Sequence, residues 1–133
     1  MPENYEAKPF TYLNDSNKIF TKEQNEELEN LLIKLEKEGK KIVIITSSSK
    51  EKPNKQWSVD DNRFTNLTNR GIMITFDKTL KNIGIGIAMD TKNIFLESTR
   101  KKIIENIIIP EFENGNYYNG INKGIEEILK HWK

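Results

Sequence analysis

Three short runs of mostly β-branched apolar residues most constrain the fold of this 133-residue chain. The first, residues 42–46 (IVIIT), lies between two predicted helices and lacks polar alternation, so we predict a strand covered on both faces. Residues 72–76 and 83–88 form two further strands, and the six residues between them suit a hairpin loop. A right-handed crossover would make the first two strands parallel, which predicts a small mixed sheet flanked by helices.

A helix is predicted before the first strand. Thr21 and Gln24 have the spacing of a capping box, in which each side chain accepts from the backbone of the other residue. Gly39 follows the last apolar position and is expected to cap the helix in the left-handed conformation. The buried stripe of this helix comprises leucines at helical spacing, namely Leu28, Leu31, Leu32 and Leu35.

The C-terminal third predicts two helices. Isoleucines at 103, 104, 107 and 108 form an apolar face, and Pro110 predicts that this helix ends near Ile109. A second helix begins around Tyr117, and its apolar stripe to Trp132 is interpreted as core rather than as a partner surface. Gly120 and Gly124 lie one turn apart, which indicates close approach of another backbone, with chance as the alternative.

Composition disfavours several classes of protein and of partner. Lys plus Arg number 21 and Asp plus Glu number 20, so the net charge of +1 gives no large field for nucleic acid or an acidic membrane surface. The absence of cysteine excludes disulfides, thiol catalysis and thiolate zinc sites. No run approaches 18 apolar residues, so the chain as given is expected to be soluble. We expect one domain, residues 10–133, after a flexible lead-in of residues 1–9.

Three motifs lie in the C-terminal third, namely residues 108–112 (IIPEF), 114–118 (NGNYY) and 120–125 (GINKGI), and residues 13–15 (LND) form a short motif near the start. Over about residues 11–132 these motifs resemble the TPM domain family, in which a Val-x-Asp motif similar to residues 13–15 opens the domain. The resemblance implies a three-layer-like α/β sandwich with a small mixed sheet. It also implies an exported or membrane-tethered protein. Family members are described as a thylakoid-lumen acid phosphatase, a receptor auxiliary protein and envelope proteins of unknown role.

A candidate metal site arises where loops meet at one rim of the predicted sheet. The turn at 69–71 precedes the second strand and residues 89–90 follow the third, so both lie at the same end, with the loop to Glu97 beside them. Carboxylate and amide oxygens suit Ca²⁺ or Mg²⁺, and the family resemblance points the same way. The predicted ligands are Asp61, Asn69, Asp90 and Glu97, with Asp15 and Asp60 as secondary candidates.

Each candidate also has a structural interpretation. Asp60 and Asp61 can cap a short helix, Asp90 and Asp15 can be turn residues, and Glu97 can interact favourably with a helix dipole. The chain also departs from the family pattern. Arg70 replaces an amide or acid, the loop after the third strand lacks glycine, and Glu97 stands where the family has aspartate.

No catalytic constellation emerges from the sequence. Gly84 and Gly86 lie inside a strand without a third glycine, so we predict no nucleotide. His131 is the only histidine and lies in the last helical turn, while residues 47–49 (SSS) read as a flexible polar loop. We predict a monomeric cell-envelope module that binds an unknown membrane-associated protein and no nucleic acid. A weak metal-assisted acid phosphatase is the alternative.

Overall fold

The computed structural model describes residues 12–16, 18–60, 71–87 and 95–132. The predicted lead-in of residues 1–9 lies outside them. The elements in chain order are β1 (Leu13–Asp15), α1 (Lys22–Lys37), β2 (Ile42–Ser47), β3 (Ser58–Val59), β4 (Ile72–Asp77), β5 (Asn82–Ile87), α2 (Glu97–Ile103), a π-helical turn (Ile104–Ile108), α3 (Ile109–Glu113) and α4 (Tyr117–His131). Within these ranges, every helix is too short or too polar to cross a membrane.

The five strands form one mixed sheet in the order β1-β2-β4-β5-β3. β1, β2 and β4 are parallel, β5 is antiparallel to β4, and β3 is parallel to β5. The predicted parallel pair and the predicted hairpin are therefore confirmed. Helices pack against this sheet, so the architecture is the α/β sandwich that the sequence predicts.

The core lies on one face of the sheet, where a row of paired residues runs across four strands. Leu13 pairs with Ile44, Ile44 with Ile74, and Ile74 with Ile85, and all four are buried. Burial along β2 alternates, with Ile44 and its i±2 neighbours buried and Val43 half-buried. The strand was predicted to be covered on both faces, and the structure shows a fully buried face at Ile44 and a half-buried face at Val43.

Local signals set the ends of α1. Thr21 Oγ1 accepts from the Gln24 N–H at 3.1 Å, and Gln24 Oε1 accepts from the Thr21 N–H at 3.0 Å. Gly39 adopts a φ of 88° and donates its N–H to the Glu36 carbonyl. Both the predicted capping box and the predicted left-handed cap are confirmed, since each depends only on residues within one turn.

Pro110 does not end the preceding helix. The prediction of a stop near Ile109 is wrong, because the chain remains helical from Glu97 to Glu113 through a π-helical turn. The Ile109 N–H donates to the Ile104 carbonyl, five residues back, and Pro110 then occupies the first turn of α3. Proline has no N–H to donate, so the helix passes this position without one backbone hydrogen bond. The wider turn buries the pairs 103–104 and 108–109 on one face.

The two glycines of α4 pack against the helical segment before it. A Cβ at Gly120 would lie 2.8 Å from two ring atoms of Phe112, and a Cβ at Gly124 would lie 2.7 Å from Ile108 Cδ1. The predicted close approach is therefore present. It is made by side chains of α3 and the π-helical turn, and not by another backbone.

Candidate functional site

The sheet has two chemically different ends. We call the edge where β4 begins and β5 ends the amino rim, marked by Ile72 and Ile87, which pair with each other. The opposite edge, where β1, β2 and β4 end, is the carboxyl rim, marked by Asp15, Ser47 and Asp77. The predicted metal site belongs to the amino rim.

The Ile72–Ile87 pair confirms that the chain entering β4 and the chain leaving β5 meet at the amino rim. Gly71 fixes this point: its φ is 104°, and an added Cβ would collide with the Lys41 carbonyl oxygen. That same carbonyl accepts from the Ile72 N–H at 2.9 Å, so β2 and β4 start side by side. The predicted ligands Asp61, Asn69 and Asp90 lie outside the described residues.

Asp60 and Glu97 are the predicted ligands of this rim that the structure describes. Asp60 directly follows β3 and donates its N–H to the Ile83 carbonyl at 2.8 Å, so it lies beside the start of β5, about 10 Å along the strand from Ile87 at the amino rim. Glu97 lies in the first turn of α2, and its Oε2 is 3.4 Å from Lys101 Nζ. The predicted position at a helix N-terminus is therefore confirmed for Glu97. Its role as a metal ligand stays a prediction.

Asp15 belongs to the carboxyl rim. Its carboxylate accepts from the Ile19 N–H and the Phe20 N–H, both at 3.0 Å, and from Thr46 Oγ1 at 2.7 Å. The interpretation as a turn residue is confirmed by these bonds. Asp15 ends β1 and Asp60 directly follows β3, and these two edge strands are about 19 Å apart across four strand spacings, so the structure does not bring the two carboxylates together.

Across residues 12–16, 18–60, 71–87 and 95–132, no three histidine, aspartate or glutamate side chains converge closely enough to hold a metal ion. The predicted cation site depends on Asp61, Asn69 and Asp90, so it stays a prediction.

The most elaborate polar network of the described chain surrounds Asp77 at the carboxyl rim. Asp77 is 3% exposed. Its Oδ1 accepts from the N–H groups of Thr79 and Leu80, both at 2.9 Å. Its Oδ2 accepts from the Ser49 hydroxyl at 2.8 Å and the Ser49 N–H at 3.0 Å. One carboxylate thus ties the exit of β2 to the β4–β5 hairpin loop.

These contacts determine the ionisation of Asp77. Burial on its own raises the pKa of Asp77, but the donors from Leu80, Ser49 and Thr79 outweigh it and hold the pKa below its ordinary value. A carboxylate this well satisfied is a weak base, and Ser49 donates its hydroxyl to it. The serine loop is therefore anchored by Ser49, whereas the sequence predicted a flexible loop.

Sequence reasoning missed Asp77, although signals for it were present. An aspartate that ends a buried strand and precedes a hairpin turn commonly accepts from the N–H groups two and three residues on. A serine just after the neighbouring parallel strand then lies at the same edge of the sheet. What the sequence did not provide is the register that brings Ser47 opposite Asp77.

An aromatic cluster packs beside this network. Trp57 is only 8% exposed, and its ring centroid is 4.9 Å from that of Phe112. Phe76 lies 4.8 Å from Phe112, and Tyr117 lies 5.0 Å from it, so Phe112 is the centre of the cluster. Burial raises the pKa of Tyr117. The cluster joins the carboxyl rim to the start of α4.

A polar groove of about 170 Å³ lies between the starts of α1 and α4, lined by Ile19, Gln24 and residues 115–119. Beside it, the Tyr118 hydroxyl donates to a carboxylate oxygen of Glu27 on α1. The hydrogen bond to Glu27 raises the pKa of Tyr118, because ionisation would place two negative charges together. This contact links the first and last helices.

His131 is exposed in the last turn of α4. Its Nε2 is 3.6 Å from a Glu127 carboxylate oxygen, and its ring meets the edge of Phe95. The histidine therefore makes the ordinary surface contacts that the sequence predicts.

Comparisons with known proteins agree with this architecture. The family model of the TPM domain matches residues 13–131. The chain is similar in structure to the N-terminal domain of a protein from P. gingivalis, solved by solution NMR, with a TM-score of 0.70 and 15% sequence identity. That match covers 98% of this chain and 87% of the other, and at this identity it shows the fold alone. No curated protein matches the sequence. The chain belongs to the TPM domain family.

Proposed function

We propose that this chain is an extracytoplasmic interaction module that binds a membrane-associated protein and supports assembly or turnover of membrane complexes. Its binding is coupled to a divalent cation, Ca²⁺ or Mg²⁺, held at the amino rim. The observation that carries the proposal is the Ile72–Ile87 pair, because it brings the chain before β4 and the chain after β5 to one point.

The chain lengths support a shared site. Asn69 and Asp90 are each three residues from that pair, a span of at most about 11 Å for an extended chain. Glu97, which begins α2, adds a carboxylate at the end of the segment that carries Asp90, and Asp60, which directly follows β3, precedes the segment that carries Asn69. An amide and carboxylates from separate loops are ligands suited to a hard cation.

An interaction module fits the described chemistry better than an enzyme does. The carboxylates of Asp15 and Asp77 each accept several hydrogen bonds from neighbouring backbone and hydroxyl groups. His131 lies on the surface beside Glu127. Catalysis of phosphoryl transfer requires positioned groups that stabilise the transferring charge. The metal-assisted phosphatase is the alternative that the following experiment separates.

The test is a backbone NMR titration of metal-stripped protein with Ca²⁺ and then Mg²⁺. We expect shifts confined to residues near Asp61, Asn69, Asp90 and Glu97, and we expect Asp90→Asn combined with Glu97→Gln to abolish them. The matched control is Glu105→Gln with Glu113→Gln, which removes two exposed carboxylates of the C-terminal helices. That control should titrate like the wild type.

Two results decide the proposal. If millimolar cation moves no resonance at the amino rim, or if the control loses the response equally, the cation site is wrong. A second result would favour the phosphatase over the interaction module. In that case the site binds the cation, the cation-loaded protein hydrolyses a chromogenic phosphate ester, and the double variant does not.

A further inference from the structure

The tertiary structure concentrates positive charge that the composition conceals. Two loops at the carboxyl rim carry five lysines: Lys50, Lys52 and Lys55 between β2 and β3, and Lys78 and Lys81 between β4 and β5. We call this set the basic loop surface. Its acidic residues are Glu51 and the buried Asp77, so it holds more positive charge than the net +1 of the whole chain.

Hydrogen bonds hold the two loops together. The Asn54 N–H donates to the Thr79 carbonyl at 3.1 Å, and the Asn54 side chain donates to the Leu80 carbonyl at 2.6 Å. The Ser58 N–H donates to the Lys81 carbonyl at 2.9 Å. Lysines that are far apart in sequence therefore share one edge of the fold.

Aromatic rings position the two hairpin lysines. Lys78 Nζ lies 5.6 Å from the centroid of the Tyr117 ring, and Lys81 Nζ lies 6.0 Å from that of Trp57. The two rings are 6.1 Å apart, so both ammonium groups are held over neighbouring members of the aromatic cluster. Cation–π contacts of this kind favour a defined position for an otherwise flexible side chain.

We propose that the basic loop surface docks on an anionic lipid bilayer. Every residue from 50 to 56 is exposed, so the surface protrudes and can meet a planar layer of headgroups. All five cations are lysines, which act as point charges and suit a diffuse anionic layer. Among the described residues the one exposed large hydrophobic side chain is Leu96, in another loop, so attraction at this surface is electrostatic.

The same features disfavour nucleic acid as the occupant. Base and phosphate recognition commonly uses the arginine fork, and the basic loop surface contains no arginine. Single strands require exposed rings for stacking, whereas Trp57 is buried within the aromatic cluster.

This inference goes beyond the proposed function and does not depend on it. The basic loop surface and the amino rim lie at opposite ends of β4, about 20 Å apart for a six-residue strand. A domain that rests on the bilayer through its carboxyl rim presents its amino rim away from the lipid. Loss of cation binding and loss of lipid binding are therefore separate outcomes.

The test is co-sedimentation of the full chain with vesicles of phosphatidylcholine containing about 30% phosphatidylglycerol, compared with phosphatidylcholine alone. The variant is Lys50→Gln with Lys52→Gln and Lys55→Gln, which changes only exposed side chains. The matched control removes three exposed lysines of α1, through Lys22→Gln with Lys34→Gln and Lys37→Gln.

We expect the wild type to bind only the anionic vesicles, and about 0.5 M salt to abolish binding by screening. Each lysine near an anionic bilayer changes affinity by about fivefold, so the loop variant should bind about 100-fold more weakly. The α1 control should stay close to the wild type. The proposal would be overturned if the wild type bound neutral vesicles equally well, or if both variants lost vesicle affinity to the same extent. Tighter binding to duplex DNA or polyglutamate than to the anionic vesicles would also overturn it.

Discussion

Replacing Asp77 with asparagine tests whether one buried carboxylate holds the carboxyl rim together. Asparagine keeps the shape but converts one acceptor oxygen into an NH₂ donor. Each Asp77 oxygen accepts three hydrogen bonds, at least one of them from a backbone N–H, so either orientation of the amide sets a backbone donor against the NH₂ group and removes the negative charge from the other bonds. A hydrogen bond to a charged group contributes about 1.5–3 kcal/mol, and relaxation of the loop recovers part of the loss. We therefore expect Asp77→Asn to lower the unfolding free energy by about 3–4 kcal/mol.

The same carboxylate predicts a pH dependence. Because the pKa of Asp77 is lowered in the folded state, its contribution to stability is present above the unfolded pKa of about 4 and is lost as the pH falls through the lower, folded pKa. The unfolding free energy of the wild type should therefore decrease below about pH 4 more steeply than that of Asp77→Asn.

Urea denaturation followed by circular dichroism measures both effects. Glu113→Gln is the control, since it makes the same chemical change at an exposed position. A loss below about 1 kcal/mol for Asp77→Asn, or equal losses in the two variants, would refute the assignment of these hydrogen bonds. Parallel acid profiles for wild type and Asp77→Asn would refute the pKa argument.

Two further substitutions test close contacts, again by urea denaturation. Gly120→Ala should lower the unfolding free energy by about 1–2 kcal/mol, because its methyl group would lie 2.8 Å from the buried Phe112 ring. This clash outweighs the higher helix propensity of alanine. Unchanged or higher stability would contradict this packing. Gly71→Ala should lower the unfolding free energy by about 2 kcal/mol or more, because alanine would have to adopt a φ of 104° and its Cβ would collide with the Lys41 carbonyl. A variant as stable as the wild type would contradict this strain.

Patterns confined to one or two turns of chain were read correctly from the sequence. The capping box of Thr21 and the left-handed Gly39 are formed by groups within four residues of each other. The hairpin between β4 and β5 follows from two apolar runs joined by a short loop. The parallel pairing of β2 and β4 needed one further rule, the handedness of crossover connections.

The behaviour of Pro110 shows where a local rule fails. Proline in an α-helix removes a donor and clashes with the preceding turn, which predicts a helix end. The chain instead inserts a π-helical turn, and this turn places Ile108 and Ile109 in the core alongside Ile103 and Ile104. The spacing of five between these isoleucine pairs is the sequence signal that could have indicated it.

The candidate cation site was predicted only as far as topology allows. The sequence identified which loops meet at the amino rim, and the pairing of Ile72 with Ile87 agrees with it. Glu97 was correctly placed at the start of a helix. Whether Asp61, Asn69, Asp90 and Glu97 share an ion depends on contacts between segments distant in sequence, which residue spacing does not specify.

The sequence by itself determined three of the five strands, the caps of α1, the direction of the central strands and membership of the TPM domain family. Each of these depends on local periodicity, on a motif or on the handedness of crossover connections. Only the tertiary structure decided that Ser49 reaches Asp77, that Trp57 enters the core and that five lysines converge on one edge. Those features require strand register and loop contacts between residues more than 20 positions apart. Such contacts form only when the whole core packs.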